Sequence, residues 1–244
     1  MLFGTKGIVL KTLKYGETSL IANIFTEKFG IQSYLINGIR KSGKASTGIS
    51  LLQPSSILDM TVYHSELKNL QRIKDFNWSI LYQSILTDVT KNAVAMYMVE
   101  LLQKCLKQPE ANSELFEFCE DAFIHLDKAS TAVTANFPLY FCIHLAYFFG
   151  FRLHDNYDHE SQILDLQEGA FSDQIPNHGN ILDGVNSYAV SQILKAQKPE
   201  DLIEIKLNKN IRKEILLFLQ SYYSFHIQDF GPMKTLPVIQ TILS

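Results

Sequence analysis

Ile57-Leu58-Asp59-Met60-Thr61-Val62-Tyr63 alternates residue by residue. Leu58, Met60 and Val62 fall to one side and Asp59, Thr61 and Tyr63 to the other, the two-residue period of a strand with one buried face. Working outward, a His64-Ser65-Glu66 turn leads to a second strand over Leu67–Lys74. Upstream, Gly7–Leu13 is β-rich and Ser19–Thr26 follows. The turn Glu27-Lys28-Phe29-Gly30 then joins a strand over Ile31–Asn37 into a hairpin. Five short strands with no long helix among them predict a small OB-type barrel rather than a βαβ unit.

After Phe76 the period changes to 3.6. Apolar positions between Ile80 and Leu106 (Val94, Tyr97, Met98, Leu101, Leu102) predict a helix that Pro109 stops. Ser113 opens another, with Glu114 and Glu117 in its first turn, where the helix dipole favours acids. Thr131–Phe149 is a strongly apolar helix ended by Gly150. Phe151–Gly184 is poor in helix signal, with Gly169, Pro176, Gly179 and Gly184. Asn186–Lys195, Ile211–Asp229 and Lys234–Leu243 complete a helical bundle. The expected division is therefore a barrel over 1–76, a first helical part over 77–150, an irregular insert over 151–184 and a second helical part over 185–244. The predicted class is multidomain α+β.

The boundary near residue 76 coincides with a change of charge. The chain has 244 residues, 46% hydrophobic and 19% charged, a globular mix that excludes wholesale disorder. Its net charge of −3 divides unevenly. Met1–Asp75 holds ten Lys/Arg against five acids, and Phe76–Ser244 holds twelve against twenty. A basic first third on an acidic remainder points to two parts with different partners, the basic one suited to phosphates. Cys105, Cys119 and Cys142 are far apart and odd in number, so neither a disulfide framework nor a four-cysteine metal site is expected. The N-terminus lacks a charged-then-apolar leader pattern. The most apolar run, Phe137–Phe151, falls short of the ~20 residues of a membrane span. The sequence reads as soluble and cytoplasmic, with no membrane partner.

Three constellations invite a chemical reading. Gly38-Ile39-Arg40-Lys41-Ser42-Gly43-Lys44-Ala45 is close to the phosphate-binding loop G-x-x-x-x-G-K-[ST], but Ala45 supplies no hydroxyl for Mg²⁺. Ser46-Thr47-Gly48 and then Pro54 open a helix poorly, so these residues read as a mobile basic loop able to follow a sugar–phosphate backbone. On the last strand, Lys68, Leu70, Arg72 and Lys74 share a face by alternation. That row is either an electrostatic track for nucleic acid or an edge guarded by Lys against aggregation. Tyr34 and Tyr63 are candidate base-stacking residues, or half-buried barrel residues. Finally, His154-Asp155-Asn156-Tyr157-Asp158-His159 could offer two imidazoles and a carboxylate to a metal. Its flanks are loose, and it reads as a polar surface loop. No nucleophilic triad stands out, and neither a cofactor nor a metal is expected.

The opening resembles the bacterial recombination mediator family RecO. The resemblance is carried by Gly7-Ile8-Val9-Leu10-Lys11-Thr12, Tyr15-Gly16-Glu17-Thr18, Thr26-Glu27-Lys28-Phe29-Gly30, Gly38-Ile39-Arg40-Lys41-Ser42 and Leu52-Gln53-Pro54. It continues more weakly through Phe148-Phe149-Gly150-Phe151, Arg212-Lys213 to Phe225-His226 and Lys234-Thr235-Leu236. The resemblance implies an N-terminal OB domain that binds single- and double-stranded DNA and anneals strands coated by single-strand-binding protein. It also implies loading of the recombinase RecA with the partner RecR, without a covalent active site, in the cytoplasm at the nucleoid. The residues expected to contact phosphates are Lys11, Lys14, Arg40, Lys41, Lys44, Lys68, Arg72 and Lys74. The resemblance further implies that the helical part docks the acidic C-terminal tail of single-strand-binding protein. Lys206, Lys209, Arg212 and Lys213 are the densest basic cluster there. A different reading makes the barrel a protein adaptor without strong DNA binding of its own. One departure is plain: many family members carry a four-cysteine zinc site after the apolar helix, and 151–184 has no cysteine. A zinc-free module held by apolar packing and hydrogen bonds is expected.

Overall fold

A computed structural model describes residues 1–37, 48 and 50–243. Strands β1 (Leu2–Tyr15), β2 (Ser19–Thr26), β3 (Gly30–Ile36), β4 (Ile57–Tyr63) and β5 (Leu70–Trp78) close a barrel in the order β1-β2-β3-β5-β4. Among the described strands only β3 and β5 pair in parallel. This is the five-stranded OB-type barrel that the alternating stretches predict. Closure depends on β1, which is long enough to serve two neighbours. Leu2–Ile8 pairs with β4, and Gly7–Tyr15 pairs with β2. Between them a bulge at Leu10, flanked by the pairs Val9–Ile24 and Lys11–Asn23, bends the strand. Leu13, Ile21, Leu35, Arg72, Tyr63 and Leu2 are successive cross-strand partners. One circuit therefore returns to β1 eleven residues from where it began, the stagger that lets a tilted sheet close.

Val9, Leu20, Ala22, Ile24, Tyr34, Ile36, Leu58, Met60 and Val62 fill the interior. Each fully buried aliphatic side chain there contributes about 1.5–3 kcal/mol. Gly7 is required by close approach: a Cβ there would lie 2.5 Å from both Ile24 Cγ2 and Met60 Cε.

The last strand starts three residues later than its sequence suggests. Gln71 is buried at 3% exposure and reaches back over the preceding turn. Its Oε1 accepts from the Ser65 N–H (3.0 Å), and its Nε2 donates to the carbonyls of Ser65 (2.9 Å) and Lys68 (2.5 Å). The turn thus extends to Asn69. The strand then runs on to Trp78 because a second bulge absorbs Lys74, between the pairs Val62–Ile73 and Thr61–Asp75. That extra residue shifts the phase, so Phe76 and Trp78 pack against the core.

Two compact units divide the chain. The first is Met1–Gln83 together with Leu106–Phe123. Within it, Phe25 packs on Phe116 with ring centroids 5.5 Å apart, and Lys6 Nζ donates to Glu120 Oε1 at 2.8 Å. Gly30 (φ +62°) passes so close to Glu110 that a Cβ would lie 2.2 Å from its carbonyl oxygen.

The second unit is Ser84–Cys105 with the chain from Ile124 onward. The helices, in chain order, are α1 (Val89–Cys105), α2 (Ser113–Lys128), α3 (Thr131–Leu145), α4 (Gly184–Lys195), α5 (Lys209–His226) and α6 (Leu236–Ile242). α1 begins at Val89 rather than near Ile80. The Ser84 and Ile85 amides donate to Asp127 Oδ1 (2.8 Å each), and Asp88 accepts from the Thr90 and Lys91 N–H groups. These bonds hold the approach in turns and set the helix start at an N-terminal carboxylate. The apolar stretch Thr131–Phe149 has the length and composition of a membrane span, but 67% of its most apolar window is buried inside the fold. A 3₁₀ turn over Ala146–Phe149 and Gly150 at φ +84° end it.

The segment predicted to be irregular contains a small sheet, β6 (Ile163–Asp165), β7 (Ala170–Ser172) and β8 (Ile181–Leu182), in the order β7-β6-β8. Leu164, Leu166, Phe171 and Leu182 are buried in it. The Asn156 side chain both donates to the Phe171 carbonyl and accepts from its N–H, at 2.8 Å each. Apolar packing and an amide clamp hold the module. Cys105, Cys119 and Cys142 are buried and form no disulfide, and burial pushes the Cys142 thiol up to about 12.

Candidate nucleic-acid interface

On the barrel, Lys11 and Lys14 lie exposed on β1 beyond the Leu10 bulge. Arg72 and Lys74 are exposed on β5, on the outer side with Leu70. Lys68 is exposed but sits in the Gln71-clamped turn rather than on the strand, so the row read from alternation contains Arg72 and Lys74 only. None of these five cations forms an ion pair with another described residue. Arg40, Lys41 and Lys44, with the whole Gly38–Ala45 motif, lie outside the described residues.

Register relates these side chains. Lys11, Asn23, Ser33 and Leu70 are successive partners on one outer row, and Leu13, Ile21, Leu35 and Arg72 on the next. Lys11 and Arg72 are thus three strand spacings apart across the sheet and two residues apart along it, roughly 16 Å over the surface. Other barrel cations are engaged elsewhere. Lys6 is held by Glu120, whose hydrogen bond raises the Lys6 ammonium above its ordinary value despite partial desolvation. Lys28 Nζ donates to the Gly4 carbonyl at 2.7 Å.

Open grooves flank both sides of the His64–Asn69 turn. The first, about 560 Å³, is polar and basic, with Asn23, Gln32, Ser33, Lys28, Lys68 and Lys107 among its walls. His64 stacks on Phe29 there, centroids 3.9 Å apart, and burial holds its imidazole below the ordinary value. The shift favours the neutral imidazole over the charged one. The two candidate stacking tyrosines separate cleanly. Tyr34 is wholly buried in the barrel core, its phenol pushed upward by burial, and has no face to offer. Tyr63 is 50% exposed.

In the helical unit, Lys206, Lys209 and Lys213 are exposed around the N-terminal end of α5, where the helix dipole adds to their positive field. Arg212 has a different task. Its Nη1 donates to the Leu207 carbonyl (2.6 Å) and its Nη2 to the Leu243 carbonyl (3.0 Å), tying the end of α6 to the entry of α5. The 154–159 loop is turned by Asp158, which accepts from the Glu160 and Ser161 N–H groups, and Asp155 lies 4.0 Å from Lys195. Among the described residues no cluster of three or more His, Cys, Asp or Glu is arranged for a metal.

Several contributors had no local sequence signal. Gln71, Lys107 and the apolar surround of Tyr63 take their places through tertiary contacts, although the alternation of β4 does put Tyr63 on the outer side.

Comparison with known proteins covers almost the whole chain. Residues 1–80 match the family model for the N-terminal part of recombination protein O, and residues 86–237 match the model for its C-terminal part. A DNA repair protein RecO from Christiangramia forsetii is 31% identical over 242 residues, 99% of each chain. The namesake from Azobacteroides pseudotrichonymphae is 28% identical over 242 residues, again 99% of each. That from Phocaeicola vulgatus is 28% identical over 244 residues, the full length of both.

Proposed function

The chain belongs to the RecO family of DNA repair and recombination proteins, and on that premise we propose that it anneals complementary DNA strands by holding their phosphates on its barrel. The observation that carries the reading is the set of exposed cations without an ion-pair partner among the described residues: Lys11, Lys14, Lys68, Arg72 and Lys74. Cations not neutralised within the protein are free to displace the counterions of DNA, the main source of sequence-independent affinity. Two strands on one basic surface repel each other less, and base pairing then proceeds without a covalent step. Arg40, Lys41 and Lys44 extend the same contact set. Lys11 and Arg72, roughly 16 Å apart, suit an extended backbone better than a compact ligand.

The partners follow from the family reading. Strands coated by single-strand-binding protein are the substrate, its acidic tail docks at Lys206, Lys209 and Lys213, and RecR joins the protein in loading RecA. The site of action is cytoplasmic, at the nucleoid. Arg212 serves this docking only by fixing the helix that carries Lys209 and Lys213.

The test is annealing of complementary oligonucleotides precoated with the organism's own single-strand-binding protein, across a salt series. Acceleration that fades with salt, and is lost when Lys11, Lys68, Arg72 and Lys74 become Ala together, supports the reading. No acceleration, with tight binding to the single-strand-binding protein's tail, would reassign the barrel as a protein adaptor.

A further inference from the structure

The second groove beside the His64–Asn69 turn, about 600 Å³, differs from the first. Its floor is apolar: Leu35, Leu70 and the half-exposed ring of Tyr63. Arg72 stands between Leu35 and Tyr63 in cross-strand register, and Lys68 borders the groove from the turn. None of its nine described lining residues is acidic. The apolar surface continues along the row, since Leu2, the β1 partner of Tyr63, is 46% exposed. An exposed apolar strip of Leu2 and Tyr63 with an arginine beside it is the kind of surface that marks a binding site.

We propose that this groove is a stacking subsite for one unpaired base of single-stranded DNA, with the base on the Tyr63 ring and the adjoining phosphates on Arg72 and Lys68. The proposal rests on the barrel being the DNA-binding part, and adds which DNA it prefers and why. A phenol ring half open to solvent offers a π-face of the kind that carries bases in sequence-tolerant single-strand binding. Arg72, directly opposite Tyr63 on β5, is near enough to reach a phosphate beside that base. The charge is complementary to nucleic acid because, among the described residues, the walls carry Lys68 and Arg72 and no carboxylate. The occupant is unpaired because a duplex keeps its base faces inside the stack. Gln71 makes the subsite rigid: its three hydrogen bonds fix the turn that carries Lys68 before any ligand arrives.

The experiment compares Tyr63→Leu and Tyr63→Phe in the full chain. Binding is read with a dT oligonucleotide, with a duplex of equal length, and with a single strand carrying 2-aminopurine, whose fluorescence falls on stacking. Tyr63→Leu is expected to weaken single-strand binding about tenfold, change duplex binding less than twofold and abolish the 2-aminopurine quench. Tyr63→Phe keeps all three near wild type, and the salt slope is unchanged in both, because no phosphate contact is removed. Single-strand affinity of Tyr63→Leu within twofold of wild type, alongside salt-sensitive binding by the wild type, overturns the subsite and leaves the annealing reading intact. Wild type that binds neither DNA overturns that reading itself. A Tyr63-dependent dimer in sedimentation, with DNA binding unaltered, would make the strip a contact between copies and overturn the subsite too.

Discussion

The barrel and the helical unit carry the same kinds of charged side chain and use them in opposite ways. In the helical unit several are turned inward, although Lys206, Lys209 and Lys213 stay exposed. Arg212 holds two carbonyls, Lys104 donates to the Phe230 carbonyl, and Lys91 to that of Asp127. Glu100 accepts from the Lys234 and Thr235 N–H groups (2.8 Å each) and the Thr235 hydroxyl (2.6 Å). On the barrel, Lys11, Lys14, Lys68, Arg72 and Lys74 are left to solvent. The difference teaches that a cation's function is read from what occupies it. Charge density alone would rank Arg212 with Arg72, yet one is a clamp and the other a free contact.

The largest expected effect breaks the barrel unit itself. Gly30→Ala forces a Cβ against the Glu110 carbonyl at positive φ and should cost at least about 3 kcal/mol, read as a lowered urea midpoint or loss of soluble protein. Next comes the pair that sharpens the comparison. Arg212→Met should lose about 2 kcal/mol of stability by leaving two carbonyls without their charged donor, while DNA affinity stays within twofold. Arg72→Met should do the reverse, leaving the melting temperature within a degree or two and weakening DNA binding severalfold. If both variants behave alike, the contrast between the units fails.

A smaller effect has a pH signature. Burial pushes the Glu100 carboxyl upward, but the hydrogen bonds from Thr235 and Lys234 outweigh it and hold the group below its ordinary 4.5. A depressed folded-state value means the stabilisation is fully present above about pH 4.5 and is lost as pH falls through the lower folded value. Glu100→Gln should therefore cost about 1 kcal/mol at pH 7, and the gap in melting temperature to wild type should close as pH falls below 4.5 through the lower folded value. A gap that stays constant with pH would mean the carboxylate charge plays no part.

Much of this was legible before the fold. The unbroken alternation of Ile57–Tyr63 and the turn ending at Gly30 give a barrel because two-residue periodicity and glycine turns are local properties. Gly150 ending the apolar helix is local as well. The expectation of hydrogen bonds within 151–184 is local too, and there the Asn156 side chain clamps the Phe171 backbone. What sequence could not give depends on distant partners. Lys68 leaves the strand because buried Gln71 reclaims the turn, and Lys74 marks a bulge because β4 must pair past it. Tyr34 and Tyr63 look alike in sequence, and barrel closure buries one and bares the other. Arg212 was read with its lysine neighbours because the carbonyl of Leu243 lies 31 residues away.

The most direct test of the central claim is the salt dependence of single-strand binding. Wild type is compared with a variant in which Lys11, Lys14, Lys68, Arg72 and Lys74 are all Ala. Free barrel cations predict a slope of log affinity against log salt that is shallower by about 0.7 for each phosphate contact removed, with the melting temperature little changed. An unchanged slope in a folded variant would contradict the account and place the DNA contacts elsewhere on the chain.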